Sequence, residues 1–234
     1  MYEIKLSPRL AAAAKLVGKG SVADIGTDHA LLPIHLVQSG HPRALASDIK
    51  EGPCQRARTN IYANGLHSKI KVVCCPGLDA VDEFEPDNIV IAGMGGEMIA
   101  SILAASDYPK KSKCRLVLQP QSMHDVLRKF LAENGFEITE ETVVLDGGKY
   151  YQLLAAKYTG EVYQMSDAEY KLGKLNLARV EKLYGETDIA WLKKQYDAAV
   201  CRINSRGAAY EDTPEQKKDR ELASVIERAI KDGE

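Results

Sequence analysis

The spacing of apolar and polar positions changes several times along the chain, and each change marks an element. Ser7-Pro8 reads as a helix N-cap followed by proline at the first helical position. Leu10, Ala11, Ala14 and Val17 then recur at helical spacing up to Gly18. Next, β-rich runs at 21–25, 44–48, 70–74, 88–92 and 114–118 alternate with helix-like segments at 31–39, 51–63, 97–105 and 123–134. The gap at 77–86 has room only for a short turn of helix. Such alternation predicts a parallel sheet with helices on both faces. Right-handed crossovers then line up the carboxyl ends of the strands along one edge, where ligands bind.

After Asn134-Gly135 the period shortens to that of strands. Two β-rich runs, 136–145 and 149–157, are joined by Asp146-Gly147-Gly148, which predicts an antiparallel hairpin at the end of the sheet. The expected fold class is therefore α/β, a Rossmann-like sheet of five parallel strands finished by that hairpin. This is the class I methyltransferase pattern more than that of the nicotinamide-linked dehydrogenases.

From about Gly160 the strands stop. Ser166 and Glu169 have capping-box spacing and predict a helix to about Tyr184; Thr187 is expected to cap a second helix. In that helix Ile189, Leu192, Tyr196, Ala199 and Ile203 step by threes and fours. Thr213-Pro214 with Gln216 opens a third, with Leu222, Val225, Ile226 and Ala229 on one side. The seam suits a helical hairpin or short coiled coil, and equally a three-helix appendage packed on the sheet. The expected domains are 1–160, the sheet domain, and 161–234, the helical one.

Composition narrows the partners. Of 234 residues, 31 are Lys or Arg and 33 Asp or Glu, a formal charge of −2. That excludes coating nucleic acid by bulk charge, so any such contact must come from local segregation of cations. Five cysteines without a C-x-x-C predict reduced, mostly buried thiols and no metal site. The start carries no signal-peptide pattern, and no apolar run approaches the ~20 residues of a membrane span. The expected location is the cytoplasm, without membrane contact. The oligomeric state stays open, with a monomer compatible.

The first strand ends in Asp24-Ile25-Gly26-Thr27-Asp28-His29-Ala30. An acid, a glycine and short polar residues before a helix form a nucleotide-cofactor loop. The dinucleotide fingerprint is absent, because Asp28 and Leu31 occupy its later glycine positions. Asp28 puts negative charge where a pyrophosphate would lie, and a helix N-terminus serves one anion better than two. S-adenosylmethionine has no phosphate and carries a sulfonium and an ammonium, so Asp24 and Asp28 favour it over NAD. A solvated loop with a capping Asp is the plain alternative. The second strand ends at Asp48, placed to accept both ribose hydroxyls, with Ile49 to pack on adenine; a helix cap is its plain alternative. Ala92-Gly93-Met94-Gly95-Gly96 follows the fourth strand as a tight loop in which Met94 offers an apolar wall, or the glycines serve packing alone. Gln119 and Gln121 place two amides at the same edge.

These residues together resemble the bacterial family that methylates N1 of adenosine-22 in tRNA. D-I-G-T-D-H-A, the strand-end Asp, I-A-G-M-G-G and L-Q-P carry the resemblance, which runs from Ser7–Leu10 through the sheet to the helical end. It implies a class I methyltransferase with a C-terminal coiled-coil domain, S-adenosyl-L-methionine as cofactor and tRNA as partner. Its cofactor residues carry over as Gly26, Asp28, His29, Asp48, Ile49, Gly77, Leu78 and the loop from Gly93, with Asp24, Thr27 and Gln119 beside them. Asp28, His29 and Met94 become the candidates nearest the chemistry. The family's polar or acidic residue before Gly-Leu is replaced here by Pro76. Lys5, Arg9, Lys15 and Lys19 are candidates for a basic stripe near the cleft; Lys171, Lys174, Arg179, Lys182, Lys193 and Lys194 would extend it along the C-terminal helices. A methyltransferase acting on a small molecule or protein, or a non-catalytic RNA-binding protein, would share the same sheet.

Overall fold

A computed structural model describes residues 4–178, 185–206 and 213–233. Ser7 caps α1 (Pro8–Leu16), its Oγ accepting from the Leu10 amide at 3.5 Å. Five βα units follow: β1 (Val22–Ile25), α2 (Leu31–Gln38), β2 (Ala44–Asp48), α3 (Glu51–Ala63), β3 (Ile70–Cys74), the short α4 (Val81–Phe84), β4 (Asn88–Met94), α5 (Gly96–Ala104), α6 (Tyr108–Ser112), β5 (Arg115–Pro120) and α7 (His124–Glu133). The helix at 108–112 was not expected: five residues with proline near the start give no period to read.

β6 (Phe136–Asp146) and β7 (Lys149–Tyr158) close the sheet, whose order is β3-β2-β1-β4-β5-β7-β6. The first five strands are parallel and the last two antiparallel. Gly147 and Gly148 both have positive φ, 54° and 77°, as a two-residue hairpin turn requires. The order reverses direction between β1 and β4, so the crevice at their carboxyl ends is the expected ligand site. β5 pairs with β7 only as far as Leu118 and Leu154, so the hairpin tip overhangs that same edge. Fully buried aliphatics such as Leu45, Ile89, Ile91, Leu116 and Leu118 fill the sheet.

The segment after Ser166 departs from expectation. The capping box forms, but α8 (Asp167–Leu172) stops at Gly173, with φ 95°, before α9 (Lys174–Ala178). Gly173 lies against the Glu141 carboxylate, where a Cβ would overlap both oxygens. Glu141 in turn accepts from the Leu175 amide at 2.8 Å and pins the second short helix. The rest of the segment to Tyr184 lies outside the described residues. α10 (Glu186–Arg206) begins before Thr187, which is therefore inside the helix; the Asp188 carboxylate accepts from the Gly185 amide at 3.2 Å instead. Thr213 does cap α11 (Pro214–Gly233), accepting from Gln216. The expected seam residues of α10 and α11 share one apolar cluster with Val143 and Tyr150 of the hairpin. The helices thus pack on each other and on the end of the sheet.

Candidate active site

Three loops meet at the switch point. In the first, Gly26 has φ 79°, and the amides of Gly26 and Thr27 both donate to the Ser47 carbonyl at 2.8 Å. That draws the β1 loop over the end of β2. The φ of Gly26 favours glycine, and a Cβ there would also meet the Met94 methyl. Asp24 is 8% exposed, and burial pushes its carboxyl up to about 6 despite a hydrogen bond from the Thr27 side chain. A buried carboxylate that pairs with no cation among the described residues has affinity to spare for a cationic group.

Asp28 is different. It is exposed, and its carboxylate pairs with Arg56 of α3 and lies 3.3 Å from His29 Nε2. The guanidinium holds its carboxyl below the usual carboxylate range. Asp28 is therefore not the free negative charge expected from the sequence. Nothing in the sequence of α3 marks Arg56; only the crossover brings it beside the β1 loop. Asn60, one turn along, donates to the His29 carbonyl at 3.0 Å and fixes the loop from the same helix.

At the end of β2, Asp48 Oδ1 accepts from the Lys50 amide at 2.8 Å, and Ile49 is 66% exposed. Cys74 and Cys201 are also exposed and Cys75 is half-buried, so the expected mostly buried thiols reduce to Cys54 and Cys114. Gly77 turns with φ 49°, while the Leu78 side chain is buried in the core beneath the sheet rather than turned to the crevice.

The third loop follows a bulge between Ala92 and Met94 in β4. Gln119 is fully buried beneath it, and its amide is committed: Oε1 accepts from Arg9 Nη1 at 2.7 Å and from the Gly93 amide at 3.1 Å, and Nε2 donates to the Pro120 carbonyl at 2.8 Å. Gln119 braces the bulge through its oxygen and one of its two N–H groups. Arg9, expected on a basic stripe, instead turns inward from α1, with its guanidinium 5.4 Å from the Tyr151 ring centre. Lys19 lies at the opposite edge, where Asn88 at the start of β4 holds its carbonyl. Of the expected stripe, Arg9 therefore lines the crevice and Lys19 lies away from it.

Arg9, Asp24, Gly26, Thr27, Gly93 and Gln121 are among the residues lining a cavity of about 340 Å³ between these loops. A larger hollow of about 650 Å³ runs along α3 and β3, but it lies away from the switch point. His124 at the start of α7 is pushed down to about 4 by burial and by Arg128, so it is neutral at physiological pH. No group of three His, Cys, Asp or Glu among the described residues could hold a metal ion, and none of the described helices is long and apolar enough to cross a membrane.

Residues 6–154 match the family model of a methyltransferase domain. The tRNA (adenine(22)-N(1))-methyltransferase of Bacillus subtilis is 39% identical over 160 residues, 67% of each chain. The chain belongs to the tRNA (adenine(22)-N(1))-methyltransferase family. The likeness extends over the whole fold. The structure of the B. subtilis m1A22 tRNA methyltransferase superposes with a TM-score of 0.79 at 28% identity, covering 97% of this chain and 100% of that one. A Streptococcus pneumoniae structure in complex with S-adenosyl-L-methionine gives 0.81 at 30% identity over 97% and 100%. In this family member, then, the Asp24–Gly26 turn, Asp48 and the bulge at Gly93 stand at the switch point of a methyltransferase sheet.

Proposed function

We propose that this protein transfers a methyl group from S-adenosyl-L-methionine to N1 of adenosine-22 in tRNA, with the cofactor held over the β1–β2 half of the crevice. The observation that carries the site is Asp24, a buried carboxylate at the end of β1 beside the Gly26 turn. S-adenosyl-L-methionine has a cationic ammonium and sulfonium and no phosphate, which suits that carboxylate and the acid-bearing loop.

In this reading Asp24 takes the cofactor's cationic end, Asp48 accepts the ribose hydroxyls and Ile49 covers one adenine face. Gly26 and Thr27 give the backbone its close approach. Asp28 pairs with Arg56 beside His29 on the exposed rim, and their part is to orient. Met94 packs on Gly26 and shapes the floor. Arg9, Gln119 and Gly93 hold the bulge that opens the cavity. Bound cofactor supplies an electrophilic methyl that the lone pair of adenine N1 can take in line. The residues therefore have mainly to place two groups and exclude water, and orientation alone yields large accelerations.

Net charge is negative, and several cations of the C-terminal helices are already paired: Arg202 with Asp219, Lys218 with Asp167 and Lys231 with Glu227. Arg179 and Lys182 lie outside the described residues. Contacts to tRNA phosphate then rest on cations such as Lys5 and Lys149, which are exposed. The testing experiment supplies labelled methyl donor and unmodified tRNA transcripts, then digests and identifies the nucleoside. N1-methyladenosine at position 22, lost when that base is changed to guanosine, is expected. Its absence with every transcript contradicts the proposal.

A further inference from the structure

The wall of the cavity around Gly93 carries a polar group that the cofactor reading leaves unused. Gln121, the first residue after β5, lines the same cavity as Asp24 and Gly93. Its backbone is pinned to the bulge, the Gln121 amide donating to the Met94 carbonyl at 2.8 Å. A Cβ on Gly93 would lie 3.7 Å from Gln121 Nε2 and 3.4 Å from Arg9 Nη1. The bare Gly93 Cα therefore leaves an opening flanked by the Gln121 amide and the Arg9 guanidinium.

The two glutamines of this edge are used differently. Gln119 is buried and braces the bulge from beneath. Gln121 is exposed, and its side-chain amide has no hydrogen-bond partner among the described residues. A primary amide held at the cavity by its own backbone, with donor and acceptor both open, can read the edge of a base.

We propose that Gln121 reads the target adenine, its Oε1 accepting from the N6 amino group and its Nε2 donating to N7, so that N1 stays open to the methyl group. The inference rests on the methyltransferase reading above and deepens it by naming what selects the base. N1 must keep its lone pair for the reaction, so the ring can be held in its plane only at its other edges. N6 and N7 set a donor beside an acceptor, the complement of a glutamine amide. Guanine offers O6 and N7, two acceptors, and would leave Oε1 facing an oxygen. The contact also strengthens along the reaction. N1 takes the methyl group with its lone pair as the bond to sulfur breaks, and the positive charge passes to the adenine ring and N6. The N6 amino group then becomes a stronger donor to Oε1, so the bond favours the transition state over the ground state. Asp24 stands in the same cavity, so a base read by Gln121 lies beside the cofactor's reacting end.

The test uses Gln121→Ala and Gln121→Glu in the full chain, with transcripts carrying adenosine or 7-deazaadenosine at the target position. The deaza base has C–H in place of N7 and keeps N1 and N6. Because the side chain is exposed, both variants should unfold at the wild-type temperature and bind S-adenosylhomocysteine as wild type does. With adenosine, Gln121→Ala should lower kcat/KM by about tenfold or more. With 7-deazaadenosine, wild type should lose several-fold and Gln121→Ala nothing further. Gln121→Glu sets a carboxylate oxygen against N7, so its preference should invert, with 7-deazaadenosine the better substrate. Wild-type kcat/KM in Gln121→Ala, an equal effect of 7-deazaadenosine on wild type and Gln121→Ala, or a loss of S-adenosylhomocysteine affinity in step with activity overturns the inference alone. A wild type that forms no N1-methyladenosine overturns the reading beneath it as well.

Discussion

Among the described residues Asp24, Glu141 and Asp219 are buried carboxylates, and the first two are treated in opposite ways. Glu141 of β6 accepts from Arg128 Nε at 2.7 Å and from the Leu175 amide at 2.8 Å, both side chains being essentially inaccessible. Arg128 is satisfied in turn by Gln152 Oε1 at 2.7 Å and by the Tyr170 carbonyl at 3.0 Å. That knot ties α7, the hairpin and the α8–α9 corner together, and every strong donor in it has a use. Among the described residues Asp24 is partnered by the Thr27 hydroxyl alone, and its carboxyl is pushed up to about 6. A buried charge that is fully partnered fixes architecture; one left short of a cation at a strand end is held for something that arrives later.

The largest expected effect breaks the knot. Arg128→Met leaves Glu141 buried without its cation and should cost about 3–5 kcal/mol, read as a lowered denaturation midpoint. The affinity of the molecules that remain folded for S-adenosylhomocysteine should be unchanged. Asp24→Asn should do the reverse, weakening S-adenosylhomocysteine by about tenfold or more in calorimetry without loss of thermal stability at pH 7. Asp48→Ala, which deletes the ribose acceptor, should weaken the same ligand by about tenfold. A smaller change, a few-fold at most, should follow Arg56→Ala, because Asp28 is exposed and its pair is screened.

A pH series sharpens the contrast further. The Asp24 carboxyl lies above its ordinary value of 3.8 in the folded chain, so it adds stability as pH falls from about 6 towards 4. His124 lies below its ordinary 6.5, so stability is lost as its unfolded form takes up a proton over nearly the same window. The two oppose each other in the wild type. Asp24→Asn removes only the favourable one, and its melting temperature should fall further than the wild type's between pH 7 and 4.5.

The alternation of runs was enough to place β1–β5, the hairpin turn and the capped starts of α1, α8 and α11, because local period and turn chemistry decide them. The strand-end residues Asp24, Gly26 and Asp48 were visible for the same reason: a strand's last residues are fixed once the strand is. What escaped depends on contacts between distant segments. Gln119 looked like an available amide, and only the arrival of Arg9 from 110 residues away shows it to be committed. Asp28 looked like a bare charge until α3 brought Arg56 to it. The break at Gly173 is set by Glu141, 32 positions earlier, and no local signal carries that information.

The claim that Asp24 is held for the cofactor's cationic end can be tested through its proton. S-adenosylhomocysteine binding is measured by calorimetry at pH 6 in two buffers of different ionisation enthalpy, for wild type and Asp24→Asn. A cation settling beside Asp24 favours its ionised form, so wild type should release part of a proton, falling away by pH 7.5, and Asp24→Asn should release none near pH 6. Binding without proton release in wild type, or with the same release in both proteins, would contradict the account.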